Sequence, residues 1–263
     1  SPNNIDTDFP KIIEKISSDF ENIEKIFTTK EKENNFDWDE VMTPLNKLNE
    51  ELRWSWGVIS HLNAVTNSDE LRNVYSKFLP EVISLGNKFG QSKIIYDTLK
   101  NLSKNSSLDD IKKRILDKEI LEMEHSGISL NPSDQEKFNS NSERLGALST
   151  KFSNNVLDAT NNWHLILTKK SQVKGLPDRV LELMSISAQK HLKDESKADT
   201  NNGPWKLTLD IPTYSAFLTY AEDRDLREKL YKAFVGRASN GSQDNNQIIE
   251  EILSLRTKQS NLL

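Results

Sequence analysis

The chain has 263 residues, enough for one large or two small domains with a sizeable core. With 40 acidic against 35 basic residues the net charge is -5, which leaves no basic excess for a phosphate backbone and argues against nucleic acid as a partner. The absence of cysteine removes disulfides, thiolate nucleophiles and sulfur-ligated zinc, and no run approaches the roughly 18 apolar residues of a membrane span.

A mean hydropathy of -0.66 with 29% charged residues fits long helices that each bury one stripe and leave a charged face in water. The expectation is a soluble, mainly α chain. The segment Phe9 to Phe27, with Pro10 near its start, carries Ile12, Ile16, Phe20, Ile23 and Phe27 at helical spacing. The polar stretch from Thr28 to Asn35 interrupts it. A second stripe runs from Trp38 through Val41, Leu45 and Leu48 to Leu52, with Pro44 in the first turns.

Asn67 and Glu70 form a capping-box pattern ahead of a helix expected to run towards Leu99, bent at Pro80. Ser107 and Asp110 mark the next start and Gly127 its end. Asn131-Pro132 opens a helix whose stripe is Phe138, Leu145, Leu148, Phe152 and Val156. The short apolar runs 163–168 and 205–210 predict two pairing strands, separated by a helix from Pro177 to Leu192 and an exposed connection from Lys193 to Pro204. Three helices follow: a short one opened by Pro212, one from Arg224 to about Ala238, and one from about Asn246 to the end, the last two separated by the turn Ser239–Ser242. The fold class is thus mainly α with one small β element, read as an N-terminal helical region over 1–130 and a second, mainly helical region over 131–263. The start at Ser1 and the uninterrupted helical pattern at Leu263 lead us to expect a fragment at both ends.

No constellation of catalytic residues emerges. His61, His125, His164 and His191 are scattered, and none lies four residues from another as a helical zinc pair would. In Glu122-Met123-Glu124-His125 the last two side chains diverge by about 100° on a helix, so His125 reads as a helix-terminal histidine favoured by the dipole. Asp109-Asp110 and Glu250-Glu251 read as helix-start and solvated-face charges rather than acid/base dyads. No glycine-rich phosphate loop occurs among the nine glycines. Trp54-Ser55-Trp56-Gly57 is less ordinary, because indoles at i and i+2 cannot share one helix face. Either one of them lines a groove or, as the pattern favours, both anchor an elbow that turns at Gly57.

Several strings resemble a known family. They are Trp56-Gly57-Val58-Ile59-Ser60-His61-Leu62-Asn63, Phe152-Ser153-Asn154-Asn155-Val156-Leu157-Asp158-Ala159-Thr160, Leu207-Thr208-Leu209-Asp210-Ile211-Pro212-Thr213-Tyr214, Leu226-Arg227-Glu228-Lys229-Leu230-Tyr231-Lys232-Ala233-Phe234, Arg237-Ala238-Ser239 and Ile248-Ile249-Glu250-Glu251-Ile252-Leu253-Ser254-Leu255-Arg256. In this order they resemble the N-terminal part of the thimet oligopeptidase and oligopeptidase A family of zinc metallopeptidases, with the closer likeness to bacterial oligopeptidase A. Val58 departs from the family's usual proline, and Asn246-Gln247 from its Thr-Pro or Asn-Pro.

The resemblance implies a zincin-type metalloendopeptidase of the cytoplasm, or of an organellar matrix or stroma, acting on short peptides. Its zinc would be bound by an H-E-x-x-H motif and a later glutamate in a C-terminal catalytic domain outside these residues. This chain would then contribute no catalytic, cofactor-binding or metal residue, only a helical wall facing that domain across a narrow channel. The alternatives are a dipeptidyl carboxypeptidase of the same family and a non-catalytic helical binding or scaffold module.

Overall fold

The computed structural model describes residues 2–31, 36–192 and 199–263. Among them are ten α-helices and one two-stranded antiparallel sheet. They form two compact units, residues 1–149 with 252–263 and residues 150–251.

In the first unit α1 (Pro2–Glu31) buries Phe9, Ile16, Phe20, Ile23 and Phe27. Their spacings of three, four and seven keep them on the one stripe that meets α2 (Trp38–Val65), α3 (Asp69–Gly90) and α4 (Lys93–Ser103). The helix starts seven residues before the expected Phe9, so Pro10 sits inside it rather than near its start. Of the expected interruption, Thr28 to Glu31 are helical and residues 32–35 lie outside the described residues. One core cluster gathers Phe20, Met42, Leu48, Leu99, Leu116 and Met123, and a second gathers Phe9, Ile59, Val74 and Phe78.

The helix expected to run to Leu99 is two helices. α3 stops at Gly90, and Ser92 caps α4 by accepting from Ile95 N at 3.2 Å while its hydroxyl donates to Glu24 Oε1 at 2.6 Å. Gln91 Nε2 donates to Ser126 O and Asn139 Oδ1, at 2.9 and 2.7 Å. These side chains satisfy backbone and polar groups at a break across which the apolar period is kept from Phe89 to Tyr96 and Leu99. Two further starts shift slightly: Ser68 rather than Asn67 caps α3, and Asp109 rather than Ser107 caps α5 (Asp110–His125). Gly127, at φ 85°, ends α5 in a left-handed turn, with its N–H on Glu124 O and that of Ile128 on Met123 O. Asn131 caps α6 (Pro132–Asn162) by accepting from Asp134 N at 3.0 Å.

In the second unit β1 (His164–Leu167) and β2 (Trp205–Thr208) pair with Leu165 opposite Leu207 and Leu167 opposite Trp205. A two-stranded sheet is marginal by itself. Here Leu167, Trp205 and Leu207 enter a core with Met184 of α7 (Asp178–Leu192), Phe217 of α8 (Ile211–Tyr220) and Leu230 of α9 (Arg224–Val235). Asp210 caps α8 and Asp223 caps α9. Gly175, at φ 91°, lies so close to the Tyr220 carbonyl that any side chain would strike it. Residues 193–198 of the expected connection lie outside the described residues; beyond them Asp199 and Gly203 pair backbone to backbone, and the chain ends in α10 (Asn246–Leu262).

Candidate functional site

α2 is apolar on two faces, and this places the two tryptophans. Trp56 turns inward, stacked on Tyr75 at 4.7 Å between ring centroids and 5.6 Å from Phe9. Trp54 points about 160° away on the helix and is 67% exposed. No elbow forms at Gly57, because α2 continues unbroken to Val65. Trp54 instead begins a surface stripe with Val58, His61 and Val65, at i, i+4, i+7 and i+11. Val58 is 54% and Val65 60% exposed, so this is apolar surface that the unit leaves open to water.

Two hollows lie along the stripe. One, of about 370 Å³, is lined by Arg53, Trp54, Gly57, Val58, His61 and Leu62. The other, of about 640 Å³, runs between Ile5, Phe9 and Ile12 of α1 and Val58, Ile59 and Leu62 of α2. Gly57 shapes the first. A Cβ placed on it would meet nothing within 4 Å, so no packing contact requires glycine there. A glycine inside a helix costs about 1 kcal/mol relative to alanine, and here its consequence is a depression between Trp54 and His61. Arg53 spreads over the Trp54 ring with its guanidinium carbon 5.6 Å from the centroid. The two tryptophans and Gly57 stand out in the sequence alone, whereas Arg53, Val58 and His61 join them as a set only once α2 is built. The second apolar period on α2 was the available signal.

The other candidates have local duties. Glu124 accepts from the Tyr96 hydroxyl at 2.6 Å and lies 3.5 Å from Lys100 Nζ, contacts that hold its carboxyl below the usual range, with the Tyr96 hydrogen bond the larger cause. Asp109 accepts from Lys112 N at 2.8 Å as the α5 cap, and Glu250 is exposed on α10. Glu119 and Glu122 line a smaller cavity of about 190 Å³ with Phe20, Met42 and Leu99. Burial, and then Glu122, push the Glu119 carboxyl up.

The four histidines lie on α2, α5, β1 and α7. Only His164 and His191 meet, edge to face at 4.3 Å between ring centroids. Lys206 Nζ reaches His191 Nδ1 at 3.4 Å, placing a cation where a metal would need a free lone pair. Among the described residues no three His, Cys, Asp or Glu side chains are grouped to hold a metal ion, so the donor set here does not fit zinc. Nor is any helix among them long and apolar enough to cross a membrane.

Residues 9–135 match the family model Neurolysin/Thimet oligopeptidase, N-terminal domain. Over 229 residues the chain is 38% identical to the probable cytosolic oligopeptidase A of Arabidopsis thaliana, covering 86% of this chain and 32% of that protein. Identity is also 38% over 229 residues with the organellar oligopeptidase A, chloroplastic/mitochondrial, of the same plant, covering 86% of this chain and 29% of the relative. With the oligopeptidase A of Haemophilus influenzae it is 35% over 261 residues, 95% of this chain and 36% of the relative. The chain thus spans about a third of the length of the curated relatives it matches.

Proposed function

Because this chain belongs to the thimet oligopeptidase and oligopeptidase A family and matches its N-terminal part, we propose that it is the substrate-admitting portion of a zinc metalloendopeptidase acting on short peptides. The observation that carries this reading is the alignment of nearly the whole chain with one third of proteins named oligopeptidase A. In this reading zinc and every residue that acts on the scissile bond belong to a C-terminal catalytic part; among the described residues of this chain no three donors are grouped to hold a metal ion. The enzyme would work in the cytosol or in an organelle.

The helices then supply a wall opposite the catalytic part, and the apolar stripe on α2 is the surface of this chain best suited to meet a peptide. A channel between two such walls selects by length on geometric grounds, because a folded chain reaches the metal only by unfolding. The exposed Ile249 and Leu253 on α10 are the apolar surface we assign to packing against the catalytic part.

The test is metal analysis and peptide hydrolysis with the full-length protein and with residues 1–263 alone. One zinc per full-length chain, cleavage of short unfolded peptides and no cleavage by residues 1–263 are expected. Stoichiometric zinc with turnover in the shorter chain, or no H-E-x-x-H in the full-length sequence, overturns the reading. Comparing products from a peptide with a free and an amidated C-terminus separates an endopeptidase from a dipeptidyl carboxypeptidase. The exposed apolar faces also favour a second reading, a non-catalytic binding module, which requires a full-length protein that binds peptide or protein without hydrolysing it.

A further inference from the structure

We propose that Asn240 is a site of spontaneous modification, at which the Gly241 nitrogen closes on the Asn240 side-chain amide to form a cyclic imide that water opens to aspartate or isoaspartate. The sequence holds two Asn-Gly pairs, Asn202-Gly203 and Asn240-Gly241. Glycine in second place leaves the attacking nitrogen without a Cβ beside it, so both pairs carry the same intrinsic chemistry. The fold treats them differently.

At the first pair Asp199 holds both reacting groups. Asn202 Nδ2 donates to Asp199 Oδ2 at 3.0 Å and the Asn202 N–H to Asp199 Oδ1 at 2.6 Å. The Gly203 N–H, which would supply the nucleophile, donates to Asp199 O at 3.0 Å. Gly203 is also buried, and a Cβ on it would lie 2.7 Å from the Trp205 ring, so the indole packs directly against this backbone.

At the second pair the reacting groups are free. Asn240 and Gly241 are exposed between α9 and α10. The Asn240 side chain makes no capping hydrogen bond, and among the described residues the Gly241 N–H donates to no backbone acceptor. A Cβ placed on Gly241 would meet nothing within 4 Å. Attack requires rotation about ψ of Asn240, which stands at 168°. The element this rotation disturbs is a three-residue 3₁₀ turn, Gly241–Gln243, whose hydrogen-bond geometry is inherently poor.

The reaction balances with water as its only co-reactant. The Gly241 nitrogen bonds to Asn240 Cγ, the Cγ–Nδ2 bond breaks, and Nδ2 leaves as ammonia with the proton that the Gly241 nitrogen gives up. Water then adds to one imide carbonyl. Opening the bond to Cγ leaves aspartate, and opening the main-chain bond leaves isoaspartate with an extra methylene in the backbone. Either product places a negative charge on the turn ahead of α10.

The test incubates the full-length protein at mildly alkaline pH, folded and in denaturant. Samples are digested with pepsin at acid pH, where imide formation is slow, and the peptides bearing residues 202 and 240 are quantified by mass spectrometry. Isoaspartate is counted by labelling with an isoaspartyl methyltransferase. In the folded protein residue 240 is expected to convert at least about tenfold faster than residue 202, because the hydrogen bonds to Asp199 must open before Asn202 reacts. In denaturant the two should convert at similar rates. Asn240→Gln should abolish conversion at residue 240, and Asp199→Ala should speed it at residue 202.

An Asn240 that persists in the folded protein while the denatured protein converts overturns the proposal, as does a residue 202 that keeps pace with residue 240. An Asp199→Ala protein that melts like the parent yet converts no faster at residue 202 overturns the account of its protection. None of these readouts needs peptide hydrolysis, so the site stands or falls apart from the peptidase reading.

Discussion

Trp54 and Trp56 are two residues apart, and their different surroundings make them separable by measurement. Trp56 contributes ring contacts with Tyr75 and Phe9, so Trp56→Ala is expected to destabilise the protein by about 3 kcal/mol. Trp54→Ala removes an exposed ring and should stay within about 0.5 kcal/mol of the parent. Urea unfolding of the two variants checks both values. Loss of stability in Trp54→Ala comparable to that in Trp56→Ala would show that the stripe on α2 is packed, not open.

Glu119 carries a charge that its surroundings disfavour. Burial and the neighbouring Glu122 raise its carboxyl above the ordinary 4.5, so the folded state holds its proton more tightly than the unfolded state does. The stability this contributes is complete below pH 4.5 and is lost as pH rises through the folded pKa. Glu119→Gln should therefore raise Tm at pH 7 and change it little below pH 4.5. Thermal melts across that window decide the matter, and an equal effect at both ends would place the cause in packing instead.

At the scale of elements, the break between α3 and α4 depends on one hydroxyl that both accepts from Ile95 N and donates to Glu24. Ser92→Ala should cost about 1 kcal/mol as a lost helix cap and more if Glu24 is left without a partner, measured by denaturant unfolding. Ser92→Thr, which keeps the hydroxyl, should recover most of that loss.

The contact of α7 with the β1–β2 pair includes His191, which lies against His164 and Lys206. Lys206 first, then burial, then His164 lower the His191 pKa below its ordinary 6.5. The neutral imidazole is the form the fold accommodates, so the stability is present above pH 6.5 and is lost as pH falls through the folded pKa. Amide exchange in β1 and β2 should accelerate over that fall, and His191→Gln should flatten the response.

These elements also show where sequence periodicity stops being informative. The two strands were legible because Trp163–Thr168 and Trp205–Asp210 are short apolar runs bounded by polar residues, and their pairing follows from having no other strand to bond. The division between α3 and α4 was not, because Phe89, Tyr96 and Leu99, at spacings of seven and three, keep one apolar period across it. A two-residue break is visible only through the hydrogen bonds of Gln91 and Ser92 to residues 24, 126 and 139. The caps at Ser68 and Asp109 missed by a residue or two for a related reason, since several neighbouring Ser, Asn and Asp residues offer equivalent oxygens and only the backbone path selects one.

For the whole molecule, the two units have cores of different make. Residues 1–149 with 252–263 pack helix on helix, and residues 150–251 wrap three helices around a small sheet. Both cores are built from apolar side chains, and among the described residues no three His, Cys, Asp or Glu side chains are grouped to hold a metal ion. With zinc held by the proposed catalytic part, chelation is expected to abolish peptide hydrolysis by the full-length protein and to leave the circular dichroism of the isolated residues 1–263 unchanged. A chelator that unfolds the isolated chain would contradict the assignment of zinc to the catalytic part.

The sequence by itself determined the helical class, the two strands and, through strings such as Trp56–Asn63 and Phe152–Thr160, the family. All of these are recorded in the order and spacing of residues along one chain. Only the tertiary structure decided which indole is core and which is surface, and that Gly57 lies inside a helix instead of turning it. The physical reason is that α2 carries two apolar stripes. Periodicity records that both exist, but the one that becomes buried is chosen by α1 and α3, whose Phe9 and Tyr75 lie far from Trp56 in the chain and touch it only once the helices have packed.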